Sequence, residues 1–199
     1  EHGRAFAGLE RVSDADPSLA PEAGLRLEED VLEDHDAAAS RYRQILDIDA
    51  ADAGALAALD RLALAGERWE ELAGIIERRR EVAESEDARR ELTLRLGEIR
   101  ATALEDARGA LEACGEVGRE RPEDGRAIAG LELVSEADPS LAPEAGLLLE
   151  DAYEAVEAWE KLALVLKRRL DATEDPDEKR ALRLRYADLV GAKTGDAGA

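Results

Sequence analysis

Apolar residues return every three or four positions along most of this chain, as in Leu56, Leu59, Leu62 and Ala63, or Trp69, Leu72, Ile75 and Ile76. That spacing places them on one face of a helix, in stripes about four turns long. The pattern predicts helices near 4–14, 21–33, 36–49, 52–65, 68–84, 87–103, 106–120, 124–136, 142–153, 156–173 and 176–192, about eleven in all. The clearest start is Asp175-Pro176 followed by Glu178: an N-cap acceptor, a proline at the first helical position and a glutamate at the third. No alternating run of β-branched residues is long enough to suggest a strand. Residues 193–199 are expected to fray.

The stripes repeat. Residues 4–28 recur as residues 126–150 with 21 of 25 positions identical, so the chain is a repeat protein whose units bury their apolar faces against their neighbours. A slide of 72 residues pairs Leu32, Ala38, Asp52 and Leu59 with Leu104, Ala110, Asp124 and Leu131 in the same apolar phase. A slide of 90 carries Trp69, Leu72 and Ala73 onto Trp159, Leu162 and Ala163, and Arg78, Arg79, Leu94 and Arg95 onto Arg168, Arg169, Leu184 and Arg185. The difference of 18 reads as an insertion around 138–155, which includes the segment DPSLAPEAG. Its prolines predict phase breaks near 14–22 and 136–144 within a single helical-repeat domain spanning 1–199, read as a fragment of a longer chain.

Leu96 and Gly97, followed by Ala110, Cys114, Val117 and Pro122, resemble a tetratricopeptide repeat. Ala38, Tyr42, Ile45 and Ala50 resemble a second copy, with Tyr42 in the aromatic slot and Ala50 in place of the closing proline. Leu56, Leu59 and Ala63 open the next hairpin, with Asp60 in the glycine slot. The resemblance implies an all-α fold, a right-handed α-solenoid of antiparallel helix hairpins. Alternate helices would line a concave face that holds a peptide or partner protein. Apart from the resemblance, small residues such as Ala38, Ala73, Ala110 and Ala163 suit close helix crossings, while Tyr42, Trp69 and Trp159 fill gaps between helix pairs.

Composition narrows the function classes. Aromatics are only 3% of the residues, so Leu, Ala, Val and Ile must fill the core. A net charge of -21 excludes nucleic acid and an anionic membrane surface as main partners. The acidity is either a groove for a basic peptide or a diffuse, solvated surface that aids solubility or suits high salt. No apolar stretch is long enough to insert into a membrane. A single cysteine, Cys114, excludes an intrachain disulfide and leaves the compartment open, with the cytoplasm the favoured reading.

Catalytic and metal-binding constellations do not emerge. His2 and His35 are the only imidazoles and read as surface residues, and Cys114 sits near Leu111 and Val117 as a buried structural thiol. Asp47, Asp49 and Asp52 match a calcium loop only loosely, because Ala51 and Ala58 occupy ligand positions, so they read as a helix end and an N-cap. No cofactor is expected. Two basic clusters stand out: Arg78, Arg79, Arg80 and Lys167, Arg168, Arg169. Near helix ends they complement the helix dipole and pair with acids of a neighbouring helix, or they form a ladder that grips carboxylates of an acidic partner. The expectation is a non-enzymatic protein-interaction scaffold. The alternative is a structural spacer or a self-associating array.

Overall fold

The computed structural model describes residues 35–194, and these are all-helical. The helices expected at 4–14 and 21–33, the break at 14–22, His2 and residues 195–199 lie outside the described residues. Among the described residues there are nine α-helices: α1 (His35–Ile48), α2 (Ala53–Ala65), α3 (Trp69–Glu81), α4 (Glu86–Thr102), α5 (Ala107–Glu120), α6 (Gly125–Ala137), α7 (Ala142–Ala155), α8 (Trp159–Ala172) and α9 (Pro176–Leu189). A π-helical turn, Val190–Thr194, follows α9 and takes up residues expected to continue it.

Local chemistry explains the starts. Asp52, Ser85, Asp106, Asp124 and Asp175 each accept a hydrogen bond from a backbone N–H in the first turn that follows. Glu178, expected to complete the cap of α9, instead accepts from Arg169 at 2.8 Å and from the Thr173 hydroxyl at 2.7 Å.

The turns into α3 and α8 share a form that the apolar period does not reveal. Arg68 N–H donates to the Ala63 carbonyl at 2.9 Å and Glu67 N–H to that of Leu64 at 3.1 Å. Ninety residues later, Ala158 donates to Tyr153 at 2.8 Å and Glu157 to Glu154 at 3.3 Å. These bonds form a Schellman cap, with Glu67 and Glu157 in the left-handed region at φ 51° and 56°. The turn removes Val156 and its neighbours from the helix expected over 156–173, and α8 begins at Trp159.

The described residues divide into two compact units between Ala83 and Glu84. In the first, α1 packs on α2 and α2 on α3, burying Ala38, Leu46, Leu56, Leu59, Leu72 and Ile76. Tyr42 is buried and Trp69 half-buried, as their packing roles require. In the second unit each helix packs on the next, and α4 also meets α6 while α5 meets α7. Its core joins Leu111, Cys114, Leu131, Val134, Leu149 and Leu166, with Leu94, Val117 and Ala127 as a smaller cluster. Each fully buried leucine contributes about 2 kcal/mol, so aliphatic side chains hold these units together almost without aromatics.

Cys114 sits where three helices converge. A Cβ on Gly97 of α4 would lie 2.7 Å from its Sγ, and one on Gly130 of α6 would press against the same sulfur. Both glycines are therefore required by close approach. Among the described residues, no helix is long and apolar enough to cross a membrane.

Candidate functional site

Two carboxylates lie inside the helical layers. Asp60 of α2 and Glu150 of α7 are 3% and 2% exposed, and they occupy equivalent places ninety residues apart. An ionised carboxylate at such depth needs a cation. Arg79 of α3 supplies it to Asp60, and Arg169 of α8 supplies it to Glu150. Arg185 of α9 adds a second bond to Glu150 at 2.5 Å and reaches Glu154 at 3.0 Å. Burial works against the charged form of Arg169, but its bonds to Glu150 and Glu178 outweigh that and raise its pKa.

The basic clusters thus separate into different roles. Arg79 and Arg169 are committed to internal carboxylates, and Arg78 donates to the Ala50 carbonyl at 3.1 Å. Arg80 is half-buried and is equivalent to Leu170 rather than to a basic residue. Lys167 and Arg168 are exposed. Arg168 and Arg169 of the second cluster border a groove.

That groove, of about 500 Å³, lies within the second unit. Glu132, Ser135 and Glu136 of α6 and Pro139 of the connector form one side; Pro143, Gly146, Leu149 and Tyr153 of α7 form the floor. Lys161, Leu164, Val165 and Arg168 of α8 form the other side. The groove exists because α6 and α8 do not approach each other as α4 and α6 do, among the described residues. Between α6 and α7 the chain turns through Asp138, whose carboxylate accepts the Ser140 N–H at 2.9 Å, and Pro143 opens the following helix.

The repeated segment supplies one side and most of the floor. Glu132, Ser135, Pro139, Ala142, Pro143, Gly146 and Leu149 recur in the sequence as Glu10, Ser13, Pro17, Ala20, Pro21, Gly24 and Leu27, with Asp14 in place of Glu136.

Polar groups on the walls are tied across the groove. Lys161 meets Glu132 at 2.7 Å, Tyr153 donates its hydroxyl to the same carboxylate at 2.6 Å, and the Lys161 ammonium stands 5.5 Å from the Tyr153 ring centre. Burial pushes the Glu132 pKa up, but these two hydrogen bonds outweigh it and leave the group below its ordinary value. Tyr153 is raised, first by burial and then by the bond to Glu132. Arg168 is different: it makes no hydrogen bond or ion pair among the described residues, and its side chain faces the groove beside the half-exposed Leu164. Sequence reasoning missed Leu164, Tyr153 and Pro143 because nothing local shows which apolar residues remain uncovered after the helices pack.

Other candidate residues lie apart from the groove. Cys114 is fully buried, and its thiol pKa is pushed up to about 11, mainly by burial and then by Glu98. Asp52 caps α2 through a 2.7 Å bond from Ala55 N–H, and the Asp49 carboxylate accepts from Ala51 N–H at 3.0 Å. His35 is exposed at the start of α1. No protein-family model and no curated protein matches this sequence.

Proposed function

We propose that this chain is a non-catalytic protein-interaction module of tetratricopeptide type that docks a peptide in the groove between α6 and α8. The observation that carries the reading is the groove itself. Its volume falls in the range of binding clefts, about 300–1,000 Å³, and its floor is apolar with a few polar groups at the sides. Its position between alternate helices of a sequentially packed array supports the tetratricopeptide assignment. So does the close meeting of α4, α5 and α6 around Cys114.

Charge selects the kind of peptide. The chain is strongly acidic, yet the groove is flanked by Glu132, Glu136 and Glu178 against Lys161, Arg168 and Arg169, so it is locally balanced. Arg168, without a hydrogen bond or ion pair among the described residues, then favours a segment that lays an aliphatic or proline side chain over Leu149 and Leu164 and turns a carboxylate toward the guanidinium. This reading does not need the ladder of equivalent arginines, since Arg79 and Arg169 serve internal carboxylates.

Selection from a phage-displayed peptide library against the 199-residue chain tests the proposal. Selected peptides should carry an acidic residue next to an aliphatic or proline residue, and Leu164→Glu and Arg168→Glu should each weaken their binding about tenfold or more. Both positions are exposed, so neither change disturbs the core. Peptides whose affinity is indifferent to both variants would place docking elsewhere and sink this reading.

A further inference from the structure

Six charged residues line the groove, and four of them are paired: Glu132 with Lys161 and Glu178 with Arg169. Glu136 on the α6 side and Arg168 on the α8 side are left. Both are exposed, and neither makes a hydrogen bond or ion pair among the described residues, with the other or with any third group. Both charges reach the Tyr153 hydroxyl on the floor: after burial and Glu132, which raise its pKa, Arg168 lowers it and Glu136 raises it. An acid and a base that border one cleft without meeting are complemented by a ligand carrying both signs.

The ninety-residue repeat shows that this pair is peculiar to the groove. Tyr42, Ile45 and Leu46 of α1 recur as Glu132, Ser135 and Glu136 of α6. Tyr42 and Leu46 are buried, whereas Glu136 is exposed. Arg78, the equivalent of Arg168, is held by the Ala50 carbonyl at 3.1 Å. Where the first unit has a buried leucine and a bonded arginine, the second has an acid and a base turned to solvent. In the near-identical segment 4–28, Glu136 corresponds to Asp14, so the charge is kept at one of only four differing positions, while two of the others exchange arginine for leucine.

We propose that Glu136 is a second specificity determinant of this groove and that the occupant is a dipolar peptide. It sets a basic residue toward Glu136, an aliphatic or proline residue over Leu149 and Leu164, and an acidic residue toward Arg168. The inference rests on the docking reading above and adds to it the basic residue and its place opposite the acidic one. Three consecutive residues satisfy the arrangement, because an extended polyproline-type segment turns once every three residues and so points successive side chains to three sides. Those sides match the floor and the two flanks. A purely acidic peptide would leave Glu136 facing like charge, and a purely basic one would do the same to Arg168.

The test titrates three capped peptides, AAKPEAA, AAEPEAA and AAKPKAA, into the isotope-labelled 199-residue chain. Amide shifts should fall on residues 132–149 and 161–168, and AAKPEAA should bind about threefold or more tighter than either of the others, a margin that shrinks with added salt. Glu136→Arg should move the preference to AAEPEAA, and Arg168→Glu should move it to AAKPKAA. A role confined to holding the fold would weaken all three peptides alike. Equal binding of AAEPEAA and AAKPEAA, a preference that Glu136→Arg leaves unmoved, or absence of shifts at millimolar peptide would each overturn the inference. Library-selected peptides that still depend on Leu164 and Arg168 would then leave docking in the groove standing, and their absence would remove both readings.

Discussion

Glu150 and Arg169 form the ion pair that Asp60 and Arg79 form ninety residues earlier, one carboxylate buried inside each helical layer. A buried pair contributes little net stability, but removal of its cations strands a charge. Arg169→Met alone leaves Arg185 on Glu150 and is expected to lower unfolding free energy by about 1–2 kcal/mol; Arg169→Met with Arg185→Met is expected to cost about 3–5 kcal/mol. Urea melts of the three proteins check this, and a double variant as stable as the single would refute it.

Cys114 and Gly130 are the second such relationship. Gly130→Ala brings a methyl group against the Cys114 sulfur, so an alanine that would stabilise an exposed helix is expected here to destabilise by about 1–3 kcal/mol. Adding Cys114→Ala vacates the space and should recover more than half of the loss. Thermal melts of the single and double variants decide the matter, since independent effects would simply add.

The same thiol makes stability depend on alkaline pH. Its folded pKa of about 11 lies above the ordinary 9.0, so the unfolded chain loses the proton first. The contribution is complete below pH 9 and declines as pH rises toward 11, with a slope of up to about 1.4 kcal/mol per pH unit. Cys114→Ala should flatten the stability profile over this window. Thiol reagents at pH 8 should modify the native protein only as fast as it unfolds.

Glu132 gives the opposite sign. Because its folded pKa is lowered, its contribution is present above the unfolded carboxylate pKa and disappears as pH falls through the folded value. Tyr153→Phe removes one of the two donors and should move the Glu132 titration upward, measured by carboxylate carbon NMR. An unmoved titration would show that Lys161 alone sets it.

Glu67 and Glu157 occupy left-handed positions that cost a side-chain-bearing residue about 1 kcal/mol. Glu157→Gly is therefore expected to raise stability by up to about 1 kcal/mol, with a raised melting temperature as the readout.

The helices of the described residues were legible in the sequence because each is a local object. A stripe such as Trp69, Leu72, Ile75 and Ile76 needs only the 3.6-residue turn, and Asp175 finds its hydrogen-bond donors within three residues. The Schellman turns escaped because Gly66 and Val156 occupy the position before the left-handed residue, which in both copies is glutamate. A signal for the buried carboxylates was present: Asp60 and Glu150 interrupt apolar stripes at a ninety-residue offset, in step with Arg79 and Arg169.

The sequence by itself determined the all-α class, the position of the described helices and the recurrence that relates them, because periodicity and caps act within a few residues. The tertiary structure alone decided which arginines serve internal carboxylates and that α6 and α8 part around a groove. It also decided that Leu164 stays half-exposed while Leu46 is covered. Those outcomes depend on which surfaces meet after helices cross, and burial and charge pairing between distant residues are properties of that meeting.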